Sequence, residues 1–96
     1  MRPIRLTTSA KTDLIEIWLN ISEYQSDEIA DQLIDQLTSV YEKLATFPEM
    51  GRSRDDLFTG YRTVIANQYL IFYRLTPDEI EIIRVLHGAR NIPDVL

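Results

Sequence analysis

At 96 residues the chain has room for one modest core, and a single domain spanning 1–96 is expected. Its 45% hydrophobic and 26% charged residues suit an ordinary globular chain; no apolar run approaches the roughly 20 residues of a membrane-spanning helix, and the start MRPIRLTTSA lacks a signal-peptide core, so a cytoplasmic protein with no membrane partner is expected. The lack of cysteine excludes disulfides and thiolate metal sites, and one histidine argues against a histidine-based zinc centre, so neither metal nor cofactor is expected.

The net charge of -5 is unevenly spread. From Asp13 to Glu42 there are eight acidic residues and no basic one. From Arg52 to Arg90 there are six arginines against five acids. Overall acidity argues against gripping nucleic acid through bulk charge, so no direct sequence-specific nucleic-acid binding is expected. It leaves room for a local arginine site.

In chain order, RPIRLT reads as a short strand with Ile4 and Leu6 on one face. Thr8 or Ser9 is placed to cap a helix that starts at Ala10. Ala10, Leu14, Ile17, Trp18 and Ile21 follow helical spacing, and Ile15 and Leu19 widen the stripe. Trp18 is therefore expected in the core. YQSDE interrupts the pattern; Ser26 is a second N-cap, and Asp27 and Glu28 suit the positive end of the helix dipole. Ala30, Leu33, Leu37, Val40, Leu44 and Phe47 form a helical seam of about five turns, which Pro48 and Gly51 end. Two helices with a short connection predict an antiparallel hairpin.

After PEMGRSRDDLFTG the period changes to two. YRTVIA, YLIFYRL and IEIIRVLH are rich in β-branched and aromatic residues and read as three strands. Asn67-Gln68 leaves room for a tight hairpin, and TPDE suits a type I turn. YLIFYRL is apolar on both faces and should be central. The first strand should join this meander, because alone it would leave its backbone groups unpaired. The expectation is α+β, ordered β-α-α-β-β-β, with a helical hairpin on one face of a mostly antiparallel four-stranded sheet. The second face then needs cover from the tail, the arginines or a partner.

Five segments in this order and spacing carry a resemblance: A..DL.EIW (Ala10 to Trp18), L..FPEMGR (Leu44 to Arg52), DDLFTGYR (Asp55 to Arg62), YLIFYR (Tyr69 to Arg74) and IEIIRVLHGARN (Ile80 to Asn91). Over nearly its whole length the chain resembles the RelE/ParE superfamily of bacterial toxins. The resemblance implies the toxin of a type II toxin–antitoxin pair, neutralised by an antitoxin whose disordered tail folds onto it. RelE-like members cut messenger RNA in the ribosome; ParE-like members inhibit DNA gyrase. RelE-like nucleases resemble one another in two lysines on the second strand, an arginine on the third, and an arginine and a tyrosine near the C-terminus. In-line attack by a 2′-hydroxyl needs a base, cations for the phosphorane and an acid for the leaving group. The matching positions here are Arg62 and Val64, then Leu70, Arg90 and Leu96. Only Arg62 and Arg90 keep a charge, so the pattern looks ParE-like. The acidity of the chain departs from toxins of this kind, which are commonly basic.

The expected function is that of a ParE-like toxin inhibiting DNA gyrase and silenced by a ParD-like antitoxin, with a RelE-like metal-free endoribonuclease as the alternative. Arginine binds carboxylates bidentately, and Arg62, Arg74 and Arg84 are the expected antitoxin contacts. RVLHGARN holds the single histidine, and His87 and Arg90 are the expected target contacts rather than catalytic groups. Parity puts Arg84 and His87 on opposite sides of their strand unless a bulge intervenes. His87 is most simply a strand-end histidine bonded locally. Arg52 and Arg54 most simply pair with Asp55 and Asp56. A homodimer or a hetero-oligomer with the antitoxin is compatible with this reading.

Overall fold

The computed structural model describes residues 2–88; Arg90 and Leu96, named above, lie outside them. The elements are β1 (Ile4–Leu6), α1 (Thr8–Tyr24), α2 (Asp27–Thr46), β2 (Arg52–Ser53), β3 (Tyr61–Ala66), β4 (Tyr69–Leu75) and β5 (Ile80–His87). The sheet has five strands in the order β1-β5-β4-β3-β2, not four. The additional strand is the two-residue β2, whose Arg52 and Ser53 pair antiparallel with Thr63 and Arg62. A pair so short has no alternation to read in the sequence. β1 joins at the far edge, parallel to β5, and β4 is central as its two apolar faces require.

Thr7, not Thr8 or Ser9, caps α1. Its hydroxyl accepts from the Ala10 amide (3.1 Å) and donates to the Ile83 carbonyl (2.8 Å), so one side chain starts the helix and ties it to β5. Ser26 caps α2 as expected, accepting from the Ile29 amide (3.1 Å). Phe47 leaves the seam: it is the C-cap residue and 65% exposed. Ala30, Leu33, Leu37 and Leu44 are buried, whereas Val40, Leu14 and Ile21 are only partly so. Trp18 is also only partly buried, and its indole N–H donates to Asp31 Oδ1 (2.8 Å), clasping the two helices together. Ile15 and Leu19 are exposed.

The helix side of the sheet presents Ile71, Tyr73, Ile80, Ile82 and Val85 to this hairpin. On the opposite face Phe72 and Leu86 are fully buried under Leu57, Leu70 and Ile83, so the loop between β2 and β3 supplies part of the cover that the sequence left open. Asn67, with φ of 59°, makes the two-residue turn between β3 and β4.

One irregularity matters for function. Phe72 faces Arg84 across the β4–β5 ladder while Tyr73 faces Ile82, which leaves Ile83 as the extra residue of a bulge. The bulge resets the parity of β5. It brings Val85 and His87 to the helix face with Ile80 and Ile82. No bulge lies between Arg84 and His87, so Arg84, opposite Phe72, keeps the opposite parity expected of it, and its long side chain nonetheless reaches Asp13 of α1.

Candidate functional site

Asp13 sits where α1 crosses the bulge. Its position, three residues after Ala10 and four before Ile17, puts a carboxylate on the buried stripe. A buried carboxylate needs several partners. Arg84 supplies a bidentate grip, Nε to Oδ2 at 2.7 Å and Nη2 to Oδ1 at 2.8 Å, and the Val85 amide donates to Oδ2 at 3.0 Å. The same carboxylate holds the Arg84 guanidinium even more firmly protonated than usual, chiefly through that hydrogen bond.

Next to this clamp is a cleft of about 330 Å³ whose walls include Glu16, Asn20, Tyr69 and His87. The His87 ring stands edge-on to Tyr69, centroids 5.4 Å apart, with Nε2 3.4 Å from Gln68 Oε1. Burial pushes the Tyr69 phenol up. His87 is thus a strand-end histidine with local partners, at the rim of an acidic cleft.

The three expected antitoxin-binding arginines are not brought together. Arg84 is committed to α1. Arg62 donates through Nη1 to the carbonyls of Gly51 (2.7 Å) and Glu49 (3.3 Å), pinning the loop after α2. Arg74 lies on the outer face with a side chain 45% exposed, and donates to Glu81 (2.7 Å). Buried Glu81 also takes Arg5, which in turn holds Glu79 at 2.6 Å, so the network is neutral as a unit. Arg54 does pair with Asp56, at 3.0 and 3.1 Å, as the loop sequence suggested.

Of the positions that match the nuclease set, Arg62 is spent on carbonyls, Val64 packs on the helix-side core and Leu70 on the outer cluster. A base, a set of cations and a leaving-group acid around one point are not found among the described residues. Nor do the described residues hold a group of three His, Asp or Glu that could take a metal ion.

Sequence reasoning missed Asp13, although an acid on an apolar stripe was a readable signal. It also missed the hydroxyl of Tyr73, which accepts from the Gly51 amide (2.9 Å) and donates to the Pro48 carbonyl (2.8 Å), fixing the loop that its cross-strand neighbour Arg62 also pins.

Comparison with known proteins agrees with this arrangement. The family model for the ParE toxin of the type II toxin–antitoxin system parDE matches residues 4–92. The toxin ParE1 of Caulobacter vibrioides is 36% identical over 91 residues, covering 95% of this chain and 94% of that protein. The toxin ParE1 of Mycobacterium tuberculosis is 32% identical over 88 residues, covering 91% and 90%. Among solved structures, a chain of the chromosomal ParDE toxin–antitoxin system from P. aeruginosa superposes with a TM-score of 0.79 at 21% identity, covering 91% of this chain and 96% of that one.

Proposed function

Because the chain belongs to the ParE family of type II toxin–antitoxin toxins, we propose that it arrests growth as a non-catalytic inhibitor of DNA gyrase and is silenced by a ParD-like antitoxin. The observation that carries the non-catalytic half is the fate of the nuclease-like positions. Val64 and Leu70 are aliphatic and packed, and the Arg62 guanidinium is bound to two loop carbonyls. A phosphorane would find no set of free cations there.

His87 and Arg90 are the proposed target contacts, since His87 rims the acidic cleft beside α1. For the antitoxin, Arg74 is the proposed cation on the outer face, half exposed beside Glu81. Arg62 and Arg84 are proposed to contribute through the loop and the helix that they hold in place. The proposed place of action is the cytoplasm, where gyrase works; among the described residues no helix is long and apolar enough to cross a membrane.

Expression in a bacterial host, alone and with a ParD-like antitoxin, tests the reading. Growth arrest with loss of supercoiling and intact messages is the expected result, reversed by the antitoxin. Ribosome-dependent cuts in messenger RNA would establish the RelE-like nuclease instead.

A further inference from the structure

β1 ends the sheet, and its outer edge has a definite hydrogen-bonding character. The Ile80 amide donates to the Pro3 carbonyl (2.8 Å), and the Thr7 amide donates to the Ile82 carbonyl (3.0 Å). Backbone direction alternates along a strand, so Pro3, Arg5 and Thr7 turn toward β5 while Ile4 and Leu6 turn their N–H and C=O groups away from the sheet. Among the described residues no strand lies beyond them. Exposed edges are usually blunted by charge, bulges or cover. This edge is short and follows Pro3, but it has no bulge.

The space beside the edge is apolar. A groove of about 560 Å³ lies between β1 and α2, lined by Ile4, Leu6, Tyr41 and Ala45. A second groove of about 520 Å³ continues past Phe47 and Met50, both exposed. Arg2 borders both grooves and, among the described residues, makes no hydrogen bond or ion pair. Arg5, by contrast, is already held by Glu79 and Glu81.

These features select the occupant. A second copy of the chain, paired antiparallel through Ile4 and Leu6, would set Arg5 directly against its own counterpart, which is unfavourable. A chain of net charge -5 also repels its copy. An extended segment of another chain has neither problem. Laid antiparallel, its two residues opposite Leu6 and Ile4 share their facing and enter the groove over Tyr41 and Ala45. Its C-terminal end then lies beside Arg2.

We propose that the outer edge of β1 takes an extended partner segment by antiparallel strand addition, with apolar residues at alternate positions facing α2 and a carboxylate at its C-terminal end on Arg2. This deepens the proposed pairing with an antitoxin and rests on it only for which chain supplies the segment.

The probe is the capped peptide Ac-Thr-Val-Thr-Val-Thr-Asp-Thr-amide, titrated into the isotope-labelled chain and followed by NMR. Its two valines pair with Leu6 and Ile4, and its aspartate lies opposite Arg2. The Ile4 and Leu6 amides should shift saturably and exchange more slowly with solvent. Replacing the aspartate of the peptide by lysine should weaken binding about tenfold, the scale of one charge pair. With Arg2→Glu that preference should reverse, a result that a merely destabilised variant would not give. Shifts confined to other surfaces, or none, would overturn the proposal. So would protection of Ile4 and Leu6 that grows with protein concentration alone and comes with a dimer mass, which would assign the edge to a second copy. A silencing ParD-like antitoxin that leaves both amides exchanging as in the free chain would overturn this site while the pairing stands. Peptide binding at β1 without any silencing antitoxin would uphold the site and remove its proposed owner.

Discussion

Asp13 and Arg84, 71 positions apart in the chain, meet in a bidentate ion pair that joins α1 to the bulge in β5. With the Val85 amide also donating, the carboxylate has three hydrogen bonds in a place water scarcely reaches. Removing one partner of such a pair leaves the other charge buried, which typically costs about 3–5 kcal/mol. Asp13→Ala should therefore lower the unfolding free energy by about that much in a denaturant titration. A loss under about 1 kcal/mol, the range of a surface ion pair, would show that the clamp is not structural.

Gly51 is a second place where packing, not surface chemistry, decides. A Cβ there would come within 2.6 Å of Tyr73 Cε1 and 2.9 Å of the Thr63 carbonyl oxygen, and would also meet the Tyr73 hydroxyl. Backbone and a locked ring cannot yield cheaply. Gly51→Ala should cost about 1–3 kcal/mol, the usual scale of overpacking. A thermal melt of Gly51→Ala that matches the parent would refute this. Tyr73→Phe gives up the two hydrogen bonds of the hydroxyl and should also destabilise, leaving the Gly51 amide and the Pro48 carbonyl without that partner.

The sequence was legible where structure is local and periodic. β3, β4 and β5 occupy the segments that alternation marked, Ser26 caps where its hydroxyl and the following acids said it would, and β4 is central because both its faces are apolar. Local pattern failed where a residue serves two elements. Thr7 outcompetes Ser9 as a cap because it can also reach the Ile83 carbonyl, a partner 76 positions away. β2 has two residues and no period. The bulge at Ile83 belongs to the pairing of β5 with β4, and nothing in IEIIRVLH announces it. The intramolecular partners of the arginines were the least legible. Arg62, Arg74 and Arg84 look alike in sequence, yet one holds a loop, one a surface network and one a buried acid.

Tyr41 makes a pH-dependent contribution. Its side chain is buried, and the hydroxyl has no hydrogen-bond partner among the described residues. Burial first, and the nearby Asp13 charge second, push its phenol up from 10.0 to about 12. A pKa raised on folding favours the protonated form of the native state. That contribution is fully present below pH 10 and is lost as pH rises from about 10 to about 12. Its size is at most roughly 2–3 kcal/mol, given 1.36 kcal/mol per pKa unit. Tyr41→Phe should thus be nearly neutral at pH 7, since it removes an unsatisfied group, and should flatten the fall in stability over that alkaline window. A fall of the same steepness in both proteins would place the titration elsewhere.

The last prediction concerns RVLHGARN. His87 packs its ring edge against Tyr69 and approaches Gln68, at the rim of a cleft that also contains Glu16 and Asn20. Arg84, of opposite parity in the strand, is bound to Asp13 and is not placed to assist it in charge stabilisation. A base without cations or an acid beside it does little for phosphodiester cleavage. If the segment recognises a target instead, losing one ring should weaken contact rather than abolish action. His87→Ala should keep much of the growth arrest, with a supercoiling-inhibition titration displaced by less than about tenfold, or roughly 1.4 kcal/mol. Arg90→Ala should reduce inhibition more than it reduces thermal stability. Loss of all toxicity in His87→Ala, together with cleaved messages in cells expressing the parent, would reverse the assignment and make His87 the base of a nuclease.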